Sequence, residues 1–176
     1  MNIELTLAKI PAMTADLRKT LRANAEEKLA SGDPKWAIDA PRVLAALDDQ
    51  SRMEGGERIA HAQSLPRTER VVFAFTALPP SPHEQRLVQV LLDHPASTNR
   101  DLSRHLGWDD NGWDMHFGTM CKDRMHLLWQ ADPGTSRAGL FYSGILATYT
   151  TGSSTFVMKP EVVEAFQQLG FRVTAQ

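Results

Sequence analysis

The sequence predicts a mainly helical α+β protein, and three observations support this class. Apolar residues recur at helical spacing along most of the chain. β-branched and aromatic residues concentrate between residues 140 and 158, which indicates a small antiparallel sheet. The composition of the 176 residues, 42% hydrophobic and 23% charged, is that of a globular chain able to bury its own core.

The charge and cysteine content exclude several protein classes. The formal net charge is −2, and residues 1–80 carry 11 basic and 11 acidic side chains, so a histone-like basic surface is excluded. Cys121 is the single cysteine, so neither an internal disulfide nor a cysteine-pair zinc site can form, and a reducing compartment fits best. No signal peptide and no run of 18 apolar residues is recognisable, so we expect a cytoplasmic protein without membrane contact.

The first elements are predicted from periodicity and capping. Residues 3–7 alternate apolar and polar side chains, which favours a short strand, with a loosely docked tail as the alternative. Residues 15–30 form a helix with Thr14 as N-cap, and a second helix covers residues 39–47. Gly55 and its polar neighbours indicate a loop or a frayed helix end.

The proline-rich segment 79–82 is the clearest break in the chain. Residues 70–78, immediately before it, fit a buried helix or a strand equally well. Proline cannot continue either element, so we predict a linker here. The predicted domains are a helical region of unknown role over residues 1–78 and a second domain over residues 83–176.

Three helices are predicted after the linker. The first covers residues 84–93, and Thr98 with Asp101 resembles a capping box at the start of a short second helix that ends at Gly107. The third runs from about residue 111 towards residue 128, with Trp113, Phe117, Met120 and Cys121 on its core side and Met115, Gly118, Thr119, Lys122 and His126 on the other.

A hairpin and a final helix complete the prediction. Strands are expected in residues 140–149 and 155–158, with a turn over residues 151–154 between them. Pro160 then opens a helix that Gly170 closes.

The order of these elements resembles a winged helix-turn-helix domain over about residues 81–159. The segments HEQRLVQVLLDHP and STNRDLSRHLGW, the helix of residues 113–125 and the hairpin carry the resemblance. TNRDLSRHLGW is similar to the Leu-x-x-x-Leu-Gly pattern common in bacterial DNA-binding modules. The resemblance implies a protein that binds double-stranded DNA without catalysis, as a transcriptional regulator or as a module that recognises modified DNA.

The resemblance also implies which residues contact DNA. The third helix would enter the major groove, with base contacts from its outward face, backbone contacts from the second helix, and further contacts from the wing. The implied DNA-binding residues are Arg100, Arg104, Met115, Thr119, Lys122, Arg137, Ser153 and Ser154. A homodimer would match two half-sites, with helices between residues 15 and 47 as the seam, although packing within one chain satisfies the same apolar stripe.

Three carboxylates favour a different partner. Asp109, Asp110 and Asp114 lie at the start of the third helix, where they suit the helix dipole but repel phosphates. The alternative function is therefore a protein–protein interaction adaptor built on the same scaffold.

No other chemistry has support in the sequence. Steps of five residues separate His116, Cys121 and His126, so these side chains do not share a helix face and we expect no metal site. Trp113 and Phe117 are expected in the core rather than in a ligand cage. No GxxxxGK[ST], GxGxxG, HExxH or GxSxG motif occurs, so we expect neither a cofactor nor a catalytic residue.

Overall fold

Helices dominate the structure, a computed structural model that describes residues 3–32, 34, 36–134 and 139–173. Its elements are α1 (Ile3–Lys9), α2 (Ala15–Ala30), α3 (Asp39–Ser64), α4 (Arg67–Ala77), α5 (Pro82–Asp93), β1 (Ser97–Thr98), α6 (Asn99–His105), α7 (Trp113–Arg124), β2 (Ala147–Thr150), β3 (Thr155–Met158) and α8 (Pro160–Gln168). The three strands form one antiparallel sheet. The prediction of a mainly helical α+β protein is therefore confirmed.

The chain forms two compact units, Met1–Arg58 and Ile59–Gln176, and the division falls inside α3. This differs from the predicted linker at residues 79–82. The reason is that α4 packs along α8 and buries Val71 and Phe75 in the core of the second unit. The proline-rich segment therefore connects two helices of the same unit.

The first unit contains α1, α2 and the first part of α3. The predicted N-cap of α2 is confirmed, since the Thr14 side chain accepts a hydrogen bond from Leu17 N at 3.3 Å. The strand predicted for residues 3–7 is wrong, because these residues begin α1. Ile3 and Leu7, four positions apart, pack on the small core of this unit while Leu5 between them is exposed, which is a helical rather than a strand pattern.

Helix α3 continues through Gly55 and Gly56, where the sequence predicted a loop or frayed end. Two glycines cost the helix about 1 kcal/mol each relative to alanine. Side-chain bonds on the preceding turn offset part of this cost. Arg18 of α2 donates to both carboxylate oxygens of Glu54 at 2.7 and 3.0 Å, and Gln50 donates to the same carboxylate at 3.0 Å.

The second unit packs its helices against one face of a small sheet, on which Phe156 and Met158 are buried, whereas Val157 on the other face is exposed. Its strands lie in the order β1-β3-β2, with Ser97 opposite Phe156 and Ala147 opposite Met158. The ambiguous segment 70–78 is helical, since it forms most of α4. The predicted ends of α8 are confirmed: Pro160 opens the helix, and Gly170, with φ of 86°, follows its last turn.

The predicted strand over residues 140–149 is only partly correct. Residues Tyr142–Ile145 form a 3₁₀ helix, and β2 begins at Ala147. Lys159 stabilises the 3₁₀ turn by donating from Nζ to the carbonyl oxygens of Gly144 and Ile145. A Cβ atom at position 144 would lie 2.5 Å from the Phe141 ring, so any other residue there would displace this ring.

The core of the second unit contains the aromatic residues predicted for it. Trp113 and Phe117 are fully buried and stacked, with ring centroids 4.6 Å apart. Trp113 Nε1 donates to the carbonyl oxygen of Leu87 at 3.1 Å, so α7 is joined to α5 at the centre of the core. Within the described residues, no helix is both long and apolar enough to span a lipid bilayer.

Candidate functional site

The connection between α6 and α7 is held by one buried serine. The Ser103 hydroxyl accepts a hydrogen bond from Trp113 N at 3.1 Å, and the Ser103 carbonyl oxygen accepts one from Trp108 N at 3.0 Å. Gly107, with φ of 78°, takes the left-handed conformation that ends α6. These bonds join α6 to the connection and to the first residue of α7 through backbone amides.

Asn99 joins the first turns of the same two helices. Its Nδ2 donates to the Asn111 carbonyl oxygen at 2.6 Å, and its Oδ1 accepts from Asp114 N at 2.9 Å. The Asp114 amide is one of the N-terminal groups of α7 that have no partner within the helix. Sequence reasoning missed Asn99, because its partners are 12 and 15 positions away and no local pattern identifies them.

The outward face of α7 carries three of the predicted site residues. Met115, Thr119 and Lys122 are all exposed, and at about 100° per residue they fall on one stripe opposite Phe117 and the core. Met115 is 66% exposed. The structure therefore brings together the residues predicted for base contact.

Gly118 does not belong to this exposed face, which corrects its predicted position. It is buried against the 3₁₀ helix Tyr142–Ile145, and a Cβ atom there would lie 3.2 Å from Ser143 Oγ. Ser143 Oγ also bonds the Asp114 carbonyl oxygen at 3.2 Å and Asp114 Oδ1 at 2.5 Å. The 3₁₀ helix thus covers one flank of α7 and leaves the stripe of Met115 free.

Two contacts orient side chains of the stripe. Thr119 Oγ1 donates to the Met115 carbonyl oxygen at 2.9 Å, so its hydroxyl can still accept a hydrogen bond from a ligand. The Lys122 ammonium lies 5.5 Å from the centre of the Tyr142 ring, a cation–π distance. The stripe therefore offers, along α7, an apolar group, an acceptor and a cation.

Arg100 and Arg104 lie on α6 beside a surface cavity of about 360 Å³. Its lining consists of Arg100, Arg104, Trp108, Asp109, Asp110 and Asn111. Arg104 is paired with Asp101 at 3.2 Å, whereas Arg100 forms no ion pair or hydrogen bond within the described part of the chain. The pKa of Asp101 is lowered, chiefly because its carboxylate accepts a hydrogen bond from the Thr98 hydroxyl.

The three aspartates near the start of α7 have different surroundings. The Asp114 carboxylate accepts a hydrogen bond from the Ser143 hydroxyl, and Asp114 is half-buried. Asp110 accepts a hydrogen bond from Gly112 N at 3.1 Å, and Asp109 is exposed in the lining of the cavity. Since Asp114 is engaged within the fold, Asp109 and Asp110 remain, together with Asp101, to offset the charge of Arg100 and Arg104 at the surface.

The turn between β2 and β3 contributes hydroxyl groups and no cation. Ser153 and Ser154 are exposed there, and the Ser153 hydroxyl lies 2.7 Å from the Thr155 hydroxyl. Ser154 has φ of 57°, a left-handed conformation within the four-residue turn. Arg137, the remaining predicted contact, lies outside the described residues.

Three rings form a cluster next to the Arg100 cavity. His83 stacks on Trp108 with centroids 5.5 Å apart, and His116 meets the edges of both rings at 5.2 Å. In the described ranges, no group of three or more His, Cys, Asp and Glu side chains is arranged to hold a metal ion. Cys121 is fully buried, and burial raises the pKa of its thiol, so it carries almost no thiolate at neutral pH.

A larger cleft of about 480 Å³ lies between α5 and the segment after α8. Pro82, Gln89 and Phe171 are among its lining residues, and none of the predicted site residues is. Its lining contains no carboxylate, histidine or cysteine, so the described residues provide no acid–base or nucleophilic group there.

Comparisons with protein-family models, with curated proteins and with solved structures gave no match. The function is therefore inferred from the exposed stripe of α7 and its surroundings.

Proposed function

We propose that residues 82–158 form a winged helix-turn-helix domain that binds double-stranded DNA, with α7 in the major groove. The element order α5-β1-α6-α7-β2-β3 and the sheet order β1-β3-β2 support this proposal. The observation that carries it is the exposed stripe of Met115, Thr119 and Lys122 on a helix whose opposite face is fully packed. A helix that presents such a stripe has the dimensions to enter a major groove.

Each exposed group has a matching partner on DNA. Thr119 can accept a hydrogen bond from an adenine or cytosine amino group, and Lys122 can donate to guanine or to a phosphate. Arg100, which has no partner among the described residues, and Arg104 would contact the phosphate backbone from α6. Ser153 and Ser154 would add hydroxyl contacts from the wing.

The number of cations on the proposed surface determines how strongly its affinity for DNA depends on salt concentration. Arg100, Arg104 and Lys122 supply three cations, and the turn between β2 and β3 adds none. Three phosphate contacts correspond to a slope of about −3 in log affinity against log salt concentration. Such a domain binds modestly as a monomer, and a homodimer on two half-sites would double the contacts.

Salt-dependent DNA binding tests the proposal. Fluorescence anisotropy of a labelled random-sequence duplex is measured with the full chain at two salt concentrations, about 50 and 200 mM. We expect Arg100→Ala and Lys122→Ala each to weaken binding and to reduce the slope by about one. Lys19→Ala is the matched control, because Lys19 is an exposed helical lysine of the first unit.

The proposed role is recognition without catalysis, as a transcriptional regulator or as a module for modified DNA. An equal loss of DNA affinity in Lys19→Ala and Lys122→Ala would contradict the proposed surface, because binding would then follow net charge alone.

Asp109 and Asp110 beside Arg104 favour one other function, an adaptor that binds a protein of mixed charge. Absence of salt-dependent DNA binding together with a stable protein partner would support the adaptor.

A further inference from the structure

Met115 is the most exposed large hydrophobic side chain in the described part of the second unit. It is 66% exposed, against 46% for Leu140 and 37% for Val157. The other large apolar residues of α7, including Trp113, Phe117 and Met120, are buried, so the core of this unit is filled without it. An exposed, unbranched thioether on an otherwise polar helix face adapts readily to the shape of an apolar partner.

The neighbours of Met115 restrict what that partner can be. Thr119 lies one turn further along the helix and donates its hydroxyl hydrogen to the Met115 carbonyl oxygen. Lys122 follows, on the side of the stripe nearest Tyr142. An apolar group is thus followed along the same face by an acceptor and then a cation. This arrangement suits a polar, negatively charged partner that presents a small apolar group between hydrogen-bonding edges.

Duplex DNA presents one such group in its major groove. The 5-methyl group of thymine is the apolar feature of the groove, and 5-methylcytosine presents the same methyl at the same place. We propose that Met115 contacts a pyrimidine 5-methyl group and makes this methyl a determinant of the binding site. This inference rests on the proposed DNA binding by α7.

The helix geometry gives the spacing between methyl and cation contacts. Met115 and Lys122 are seven residues apart, which corresponds to roughly 10 Å along the helix. That distance is about three base-pair steps. With α7 aligned along the DNA axis, the methyl-bearing pyrimidine would therefore lie about three base pairs from the guanine or phosphate that Lys122 contacts.

The test uses the full chain and a duplex selected from a random-sequence pool. Each thymine of the selected site is replaced in turn by deoxyuridine, which removes only the 5-methyl group. We expect one replacement to weaken binding about fourfold, the effect of exposing one methyl-sized apolar group to water. Met115→Ala should weaken binding to the thymine duplex by a similar factor and bind the thymine and deoxyuridine duplexes equally.

Matched variants and base pairs identify the source of the effect. Met115→Leu should retain the preference for the thymine duplex over the deoxyuridine duplex. Met53→Ala should leave this preference unchanged, because Met53 is an exposed methionine of the first unit. At the sensitive position a 5-methylcytosine·guanine pair should bind about fourfold more tightly than cytosine·guanine. Equal affinity for the 5-methylcytosine and thymine duplexes would show that the methyl group alone is recognised. Tighter binding of the thymine duplex would show that the protein also recognises the O4 atom of thymine.

The failure of this inference differs from the failure of the proposed function. Salt-dependent binding with equal affinity for the thymine and deoxyuridine duplexes at every position would overturn the methyl contact and leave DNA binding in place. The same holds if Met115→Ala retains full discrimination. Absence of salt-dependent binding would overturn both.

Discussion

Asn99 Oδ1 accepts a hydrogen bond from Asp114 N at 2.9 Å, and this bond joins the first turn of α6 to the first turn of α7. The same side chain donates to the Asn111 carbonyl oxygen, so both of its polar atoms are used. Arg100 follows Asn99 directly. The position of this cation relative to the exposed face of α7 therefore depends on the Asn99 amide together with the Ser103 bonds between the same helices.

Asn99→Ala should destabilise the second unit by about 1 kcal/mol, because two hydrogen bonds are lost and the Asp114 amide and the Asn111 carbonyl then bind water instead. Urea denaturation measures the free energy of unfolding. Asn111→Ala is the matched control, because Asn111 receives the bond through its backbone and the substitution keeps it. Equal stability of the two variants would show that the Asn99 bridge contributes nothing.

The ion pair between Arg124 and Glu84 makes stability depend on pH. The Arg124 guanidinium is nearly buried and donates to the two Glu84 oxygens at 2.8 and 3.3 Å. Burial raises the pKa of Glu84, but the hydrogen bonds from Arg124 and Ser81 outweigh burial and leave this pKa below its usual value. A carboxyl group with a lowered pKa in the folded state stabilises the protein above its unfolded pKa, and this stabilisation is lost as the pH falls through the folded pKa.

Glu84→Gln should therefore lower the free energy of unfolding at pH 7 by roughly 3 kcal/mol, since it leaves the Arg124 charge uncompensated. The difference from the unsubstituted protein should begin to shrink near the unfolded carboxyl pKa of about 4.3, and should be lost as the pH falls through the lowered folded pKa of Glu84. Denaturant titrations across this pH range measure the effect. Glu69→Gln, at an exposed position of α4, should show no such trend. A difference of the same size at pH 7 and at low pH would contradict the assignment.

Gly118 is buried where α7 packs against the 3₁₀ helix Tyr142–Ile145. Gly118→Val should destabilise the second unit by about 2 kcal/mol, because the added methyl groups would overlap Ser143 and break its bond to Asp114. Thr119→Val places the same side chain on the exposed face of the same helix and should cost much less. Hydrogen exchange of the Tyr142–Ile145 amides should accelerate in the first variant alone. Unchanged exchange in Gly118→Val would mean that the 3₁₀ helix adapts without loss.

Local chemistry was enough to predict the starts of α2, α6 and α8 and the exposed stripe of α7. The N-caps Thr14 and Thr98 and the opening proline of α8 act through partners within four residues, so the sequence contains the whole signal. The exposure of Met115 and Lys122 follows in the same way from helical periodicity and an apolar opposite face.

The errors arose where distant residues decide the structure. The 3₁₀ helix in the predicted strand depends on Lys159, 14 and 15 positions away from the carbonyls it bonds. Gly118 is buried by Ser143, and the bridge of Asn99 reaches α7, so neither could be found from local spacing. The period-two pattern of residues 3–7 failed because two of its apolar residues, Ile3 and Leu7, are four positions apart and also share one face of a helix, with Leu5 exposed.

The first unit has a small core, which makes each of its members important. Its fully buried hydrophobic residues are Ile10, Ala25, Ala40, Val43 and Leu47. Leu47→Ala should cost about 2–5 kcal/mol, as for other buried leucines, and this is a large share of the stability that so few residues can supply. Amide hydrogen exchange within α2 should therefore accelerate strongly. Leu29→Ala is the control, because Leu29 lies on α2 with 45% of its surface already exposed. If the amides of α2 exchange at the same rate in both variants, Leu47 does not hold α2, and the Arg18–Glu54 and Arg22–Asp48 ion pairs are the main bonds between α2 and α3.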